Sequence, residues 1–368
     1  LSFRVIGFFN HVLEHIKQKE GRKMQRNLSH LARLLSLVLV LGLLFVPAMS
    51  IAAQTVIKFA HVDPEDPFHS KKGAAARAFK DIVEAETSGQ IEVNLFPAGQ
   101  LGGERELIES TKLGTIQMSM VSGAIAGQFK PAMVLDIPYL FSSAPVAWAV
   151  LDGPFGKELS EAILKTTGMR NLAYGETGFR NFTNSKRVIK SPADMAGLKF
   201  RVMETPLYIT MVKSLGASPT PIAWPEVYTS LQQGVVDGQE NPVGVIYNNK
   251  LYEVQKYLIL DGHAYGADFM LINDKFFNSL PAEQQKIIRM AAIVAGNCGR
   301  SIQELNSAMG VSELKKEGMQ IYSPTSQERM EFKQKTQGPV IEWMKTQVDP
   351  QWIDKVMAAT KKAEAELK

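Results

Sequence analysis

Residues 54–368 predict an α/β protein of two regions with one long helix shared between them. Three observations carry this. Segments that alternate apolar and polar residues interleave with segments of helical period. The rhythm closes and restarts near residue 177. A helical stretch then runs from Pro281 to Glu317 with no proline inside it. At 1.5 Å per residue it would reach about 55 Å, more than the width of one region. The chain length of 368 residues also exceeds what one typical core encloses.

The elements follow in order. Val56–Ala60 reads as a strand, and a helical pattern runs from about Ser70 to Ser88, stopped by Gly89. "QIEVNLF" (90–96) is a strand, "PAGQLGG" a loop, Glu104–Leu113 a helix ended by Gly114, and "IQMSMVS" (116–122) a strand. Strand–helix alternation implies a mainly parallel sheet. The second region, to about 262, starts a short helix at "SPADMAG", with Ser191 as N-cap, Pro192 at the first helical position and Asp194 three residues after the cap. The strand "GLKFRV" (197–202) follows. Thr205-Pro206 and Trp224-Pro225 open two further helices, and "VVDGQ" returns as a strand. Past the long helix, 326–346 and 350–367 are helical. Cys298, the single cysteine, is read as a small buried hydrophobe.

The first fifty-odd residues have a different character. Met24 opens "MQRNLSHLAR", an apolar run spans Leu34 to Val46, and "PAMSIAAQ" supplies small residues. This is the pattern of a secretory signal peptide, with cleavage expected near Ala52 or Ala53 and Met24 as the expected start. The thirteen-residue apolar run is shorter than the roughly 20 residues of a spanning helix. Residues 1–53 hold seven Lys/Arg and two Asp/Glu, which leaves 34 basic and 35 acidic residues in 54–368, a net charge of −1. The whole-chain value of +4 is therefore a leader effect. No basic stripe remains for nucleic acid, and the expected location is the periplasm.

Motifs for catalysis are missing: there is no G-x-S-x-G, no P-loop, no G-x-G-x-x-G after a strand and no H-E-x-x-H. His61, His69 and His263, the histidines after the leader, fit no ligand spacing. No metal or cofactor is expected.

In "GLKFRV" the strand period puts Leu198, Phe200 and Val202 on one face and Lys199 and Arg201 on the other. A guanidinium offers a planar fork that fits a carboxylate. Arg180 in "GFRNFTN" and Asn241 in "VDGQENP" are further candidates for an acid group, since open α/β sheets bind ligands beyond the carboxyl ends of their strands. Plain structural roles compete: Arg201 could pair with Glu204, Asn241 could cap a helix, and Trp224 could be core.

"GLKFRVMETPLY", "LGASPTPIAWPEVYTSLQQGVVDGQENP", "YEVQKYLILDGH" and "FPAGQLGGERELIESTKLG" resemble the solute-binding subunit of tripartite ATP-independent periplasmic (TRAP) transporters, of the DctP type. The resemblance covers about 55–345. It implies a two-lobed periplasmic binding protein fold with a long helix crossing both lobes. Lobe I is expected over 54–177 plus about 267–306, and lobe II over 178–266 plus about 307–368. It implies a receptor that captures a small organic acid by cleft closure and passes it to a membrane permease of one small and one large subunit. The family's carboxylate-binding arginine falls on Arg201, its second cleft arginine on Arg180, its asparagine on Asn241 and its aromatic wall on Trp224. Where the sialic-acid branch has a charged pair, this chain has "VSGAI" (121–125). Ser122 and Gly123 there leave room for a different acid, with Glu104 and Glu176 as acceptors for hydroxyls. A monomer is expected, with a dimer through terminal helices as the alternative. A sensory receptor and an enzyme acting on organic acids are the rival readings.

Overall fold

The computed structural model describes residues 13–15, 17–26, 30, 34, 36 and 54–368. Residues 1–53 and 54–368 form separate units. Residues 17–26 are helical, and the expected cleavage site lies outside the described residues. Among the described residues no helix is long and apolar enough to cross a membrane.

From residue 54 the chain opens as the sequence predicts. Strand β1 (Thr55–His61) leads to helix α1 (Lys71–Glu86), β2 (Ile91–Phe96), α2 (Glu104–Leu113) and β3 (Met118–Val121). Ser70 caps α1 by accepting from the Gly73 amide at 3.0 Å. Gly114 ends α2 in the left-handed conformation at φ 80°, which glycine adopts without a Cβ clash. Residues 144–167, unassigned from sequence, form α3 (Ala144–Asp152) and α4 (Pro154–Thr167). They lead into β4 (Met169–Asn184).

The second region contributes β5 (Lys199–Val202), α5 (Pro206–Ser214), β6 (Ser218–Pro221), α6 (Val227–Gln232), β7 (Gly238–Asn241), α7 (Val243–Asn248) and β8 (Tyr257–Ile259). β9 (Ala264–Asn273) and α8 (Asp274–Ser279) return to the first region's sheet. Then come α9 (Ala282–Lys316), β10 (Gln320–Tyr322), α10 (Ser326–Lys345) and α11 (Pro350–Glu366). "SPADMAG" folds as one 3-10 turn, closed by reciprocal bonds between Ser191 and Asp194. The returning strand begins at Gly238, three residues after the start of "VVDGQ".

The strands follow the order β2-β1-β3-β9-β4-β7-β5-β6, with β8 joining β4 and β10 joining β8. β1 is parallel to β2 and β3, and β5 to β6 and β7. β9 is antiparallel to β3 and β4, and β7 to β4. The sheet is therefore mixed rather than mainly parallel. The reason is that β4 and β9 are not βαβ strands but long antiparallel partners, paired from Met169/Asn273 to Arg180/Ala264 with two register shifts between. Along β4 the pairing passes from β9 to β7. The expected lobe boundary at 177/178 falls inside β4, at a register shift between Glu176 and Gly178.

The core of the first region packs α1 and α9 on the sheet through Phe59, Phe79, Met120, Ile272, Ile288 and Ala292. Burying each large side chain contributes roughly 1.5–3 kcal/mol. The long helix sits close because it carries glycines: a Cβ on Gly296 would stand 2.9 Å from the Tyr174 carbonyl oxygen, and one on Gly299 2.9 Å from that of Lys71.

Candidate functional site

The carboxyl ends of β1, β3, β5 and β7 converge on one cavity, as expected of parallel strands in open α/β sheets. It is lined by Asp63, Lys71, Lys72, Glu104, Ser122, Thr177, Arg180, Arg201, Met203, Glu204, Trp224 and Asn241, with Val62, Ala124 and Val245 as apolar wall. The cavity has a volume of about 40 Å³ and is partly open to solvent.

Arg201 lies on β5 with only 3% of its surface exposed. The alternation holds for its neighbours, since Lys199 is exposed and Phe200 buried, but the face that carries Arg201 is covered. Its Nε donates to the Ile222 carbonyl at 2.9 Å, and its guanidinium carbon lies 5.7 Å from the Trp224 ring centre. Among the described residues no carboxylate lies within 4.0 Å of it; Glu204 lines the cavity without pairing. Burial pulls its pKa down to about 10, with neighbouring Arg180 adding to the shift and Glu240 opposing it. At neutral pH it is still a cation, and an unneutralised buried cation is costly.

Arg180 on β4 is differently placed. Its Nε and Nη2 donate to the two carboxylate oxygens of Glu240, and Nη2 also reaches the Glu240 carbonyl at 2.7 Å. Nη1 has no hydrogen-bond partner among the described residues. Burial alone would lower the Arg180 pKa; the Glu240 carboxylate outweighs it and raises it. Glu240 also faces His263 at 3.3 Å, and His263 in turn meets Asp261 at 2.9 Å. This buried chain fixes the arginine's direction. Asn241, the last residue of β7, is buried and donates to Gln239 Oε1 at 2.6 Å. The following helix is capped by Pro242 without a side-chain bond, so Asn241 is not its cap. Trp224 is half-buried in the turn after β6.

Glu104 opens α2. Its Oε1 accepts from Lys72 Nζ at 2.6 Å, the Ser122 amide at 3.0 Å and Ser122 Oγ at 2.8 Å. Burial would raise its pKa, but Lys72 and Ser122 hold it below the ordinary value. The cavity thus brings together Arg201, Arg180, Asn241, Trp224, Glu104 and Ser122.

It does not include Glu176. That side chain is buried and accepts from Trp148 Nε1 at 2.6 Å. Thr177, its neighbour on the strand, lines the cavity, and adjacent strand residues point to opposite faces. Burial, then the carboxyl of Glu304, pushes the Glu176 pKa up to about 8.

Lys71, Lys72 and Asp63 line the cavity although their sequence context did not single them out. Lys71 pairs with Asp63 at 2.6 Å and Asp268 at 3.6 Å; Lys72 also meets Asp268 at 3.5 Å. One signal was legible. Two lysines open α1, where the helix dipole disfavours cations. Among the described residues no His/Cys/Asp/Glu group could hold a metal ion.

The profile of bacterial extracellular solute-binding proteins, family 7 (DctP), matches residues 59–347. The chain belongs to this family. Its members are the substrate-binding components of TRAP transporters rather than enzymes, so this is a DctP-type TRAP subunit with the two-lobed fold of such proteins. A solute-binding protein of Verminephrobacter eiseniae is 40% identical over 271 residues, 73% of this chain and 80% of the relative. The 2,3-diketo-L-gulonate-binding periplasmic protein of Escherichia coli K12 is 35% identical over 283 residues, 77% of this chain and 85% of the relative. Among solved structures, the sugar acid binding protein of Advenella mimigardefordensis in complex with galactonate superposes with a TM-score of 0.80 at 33% identity, covering 84% of this chain and 98% of that one. The DctP family is periplasmic and serves organic-acid transport.

Proposed function

We propose that this TRAP subunit captures a small organic acid by pairing its carboxylate with Arg201. The carrying observation is the buried guanidinium with no carboxylate of its own beside it. A ligand carboxylate would supply the missing charge through the planar fork. Arg180 Nη1 and the remaining amide hydrogen of Asn241 complete the acid's shell, and Trp224 forms the wall against its carbon skeleton. Glu104 and Ser122 line the same cavity and would accept from the ligand's hydroxyls. The relatives that bind 2,3-diketo-L-gulonate and galactonate support a sugar acid as the ligand.

The lobes are assigned as 54–177 with about 267–306, and 178–266 with about 307–368. Their closure excludes water and strengthens the ion pair as the local dielectric falls. The loaded monomer then docks on a permease of one small and one large membrane subunit, after export and cleavage near Ala52 or Ala53.

Titration calorimetry with galactonate tests this. Charge-assisted hydrogen bonds contribute about 1.5–3 kcal/mol each, so Arg201→Ala, losing two, should weaken binding by at least about 100-fold. Arg201→Lys should lose about tenfold or more, because an ammonium lacks the fork. A melting curve establishes that each variant is folded. Acid binding that survives Arg201→Ala unchanged would refute the assignment.

A further inference from the structure

We infer that the cavity selects acids bearing a single carboxylate with hydroxyls along the chain, and rejects dicarboxylates, with Glu104 as the residue that decides. The inference rests on the reading that Arg201 takes the ligand's carboxylate.

Four cations line the cavity: Lys71, Lys72, Arg180 and Arg201. Three are already neutralised by protein. Lys71 has Asp63 at 2.6 Å, Lys72 has Glu104 at 2.6 Å, and Arg180 is forked onto Glu240. Only Arg201 is left among the described residues, so the site has one vacancy for negative charge. A second ligand carboxylate would stand near Asp63, Glu104 or Glu204, all of which line the same space. Like charges brought together out of water repel strongly.

The remaining polar atoms ask for donors. An ionised carboxylate only accepts. Glu104 uses Oε1 for three bonds, while its Oε2 has no hydrogen-bond partner among the described residues. Lys72 and Ser122 hold Glu104 ionised. Asn241 spends one amide hydrogen on Gln239, and its carbonyl oxygen has no partner among the described residues. A hydroxyl satisfies either acceptor without adding charge; a carboxylate satisfies neither.

Calorimetry on matched pairs tests the inference, since galactonate and galactarate differ in one terminal carboxylate, as do erythronate and meso-tartrate. The wild type should bind each monoacid at least 100-fold more tightly than its diacid, and hexanoate, which lacks hydroxyls, should bind at least tenfold more weakly than galactonate. Glu104→Gln should narrow the galactonate-to-galactarate ratio by at least tenfold, because Lys72 loses its nearest counter-ion and can take the second carboxylate. Lys72 keeps Asp268 at 3.5 Å in that variant. An unchanged ratio in Glu104→Gln would overturn the role of Glu104, and if that variant does not fold, Glu104→Ala is read in the same way. Diacids binding within tenfold of their monoacids, with both lost in Arg201→Ala, would overturn the selectivity while leaving the carboxylate assignment standing. Acids that bind independently of Arg201, or no acid binding at all, would overturn both.

Discussion

Arg201 is tethered by one hydrogen bond to a backbone carbonyl and is a buried charge with no carboxylate in direct contact, Glu240 favouring it only from a distance. Function and stability are therefore opposed at this residue. An apolar side chain of similar length should remove the desolvation cost and keep the packing beneath Trp224. Replacing buried charged groups with hydrophobic ones is often stabilising, by about 1–4 kcal/mol. Arg201→Met should thus raise the melting midpoint of the empty protein by about 2–4 °C while abolishing acid binding, as read by calorimetry and differential scanning on one sample. A lower midpoint would mean that the guanidinium contributes net stability unaided. Arg201 was legible in the sequence because strand alternation and planar-fork chemistry both single it out. Its burial was not, because period-2 reasoning assigns the polar face to solvent, whereas here a second layer of structure covers it. Glu176 lies outside the cavity for a related reason: on β4 the neighbour Thr177 takes the cavity side, and no local pattern reveals which side of a doubly covered strand faces a cavity.

At the scale of elements, the start of α1 is tightly built. Gly73 stands where a Cβ would lie 2.7–2.8 Å from the carbonyl oxygens of Pro64, Glu65 and Asp66. Ordinarily Gly→Ala inside a helix gains about 1 kcal/mol. Here overpacking against rigid backbone should reverse the sign, with a net loss of about 1–3 kcal/mol. Because Lys71 and Lys72 precede it on the same turn, Gly73→Ala should also weaken acid binding. Denaturant melts and calorimetry measure the two effects, and a stabilised variant would contradict the packing argument. Capping and glycine signals made such elements readable: Ser70, Gly114 and the Ser191–Asp194 pair all act locally. The 16-residue β4 was not readable. Its register shifts break the alternation that identifies strands, and its partners lie about 60 to 100 residues away in sequence.

Across the whole molecule, several buried groups tie stability to pH. Burial raises Glu176 to about 8 and Asp136 to about 7. The folded chain keeps protons there that the unfolded chain releases, so stability falls as pH rises from the ordinary carboxylate range through those values. His263 is buried, yet Asp261 and Glu240 raise it to about 9; its contribution is full below 6.5 and lost as pH climbs through 9. His61, lowered by burial to about 4, works in the other direction between 4 and 6.5. Asp63 and Glu240, held near 2 by Lys71 and Arg180 against their burial, lose their contribution as pH falls from about 4 towards 2. The melting midpoint should therefore peak in mildly acid solution and decline from about pH 6.5 to 9. Glu176→Gln should remove part of that decline, and a midpoint flat over this interval in the wild type would contradict it.

The lone guanidinium has a practical consequence for anyone purifying the protein. If Arg201 anchors the ligand's acid group, a socket that lacks its own counter-ion should scavenge acetate or a hydroxylated monoacid of the expression host. Freshly isolated material should then carry a passenger until it is unfolded and refolded in carboxylate-free buffer, and the identity of that passenger would itself be a clue to what the receptor holds.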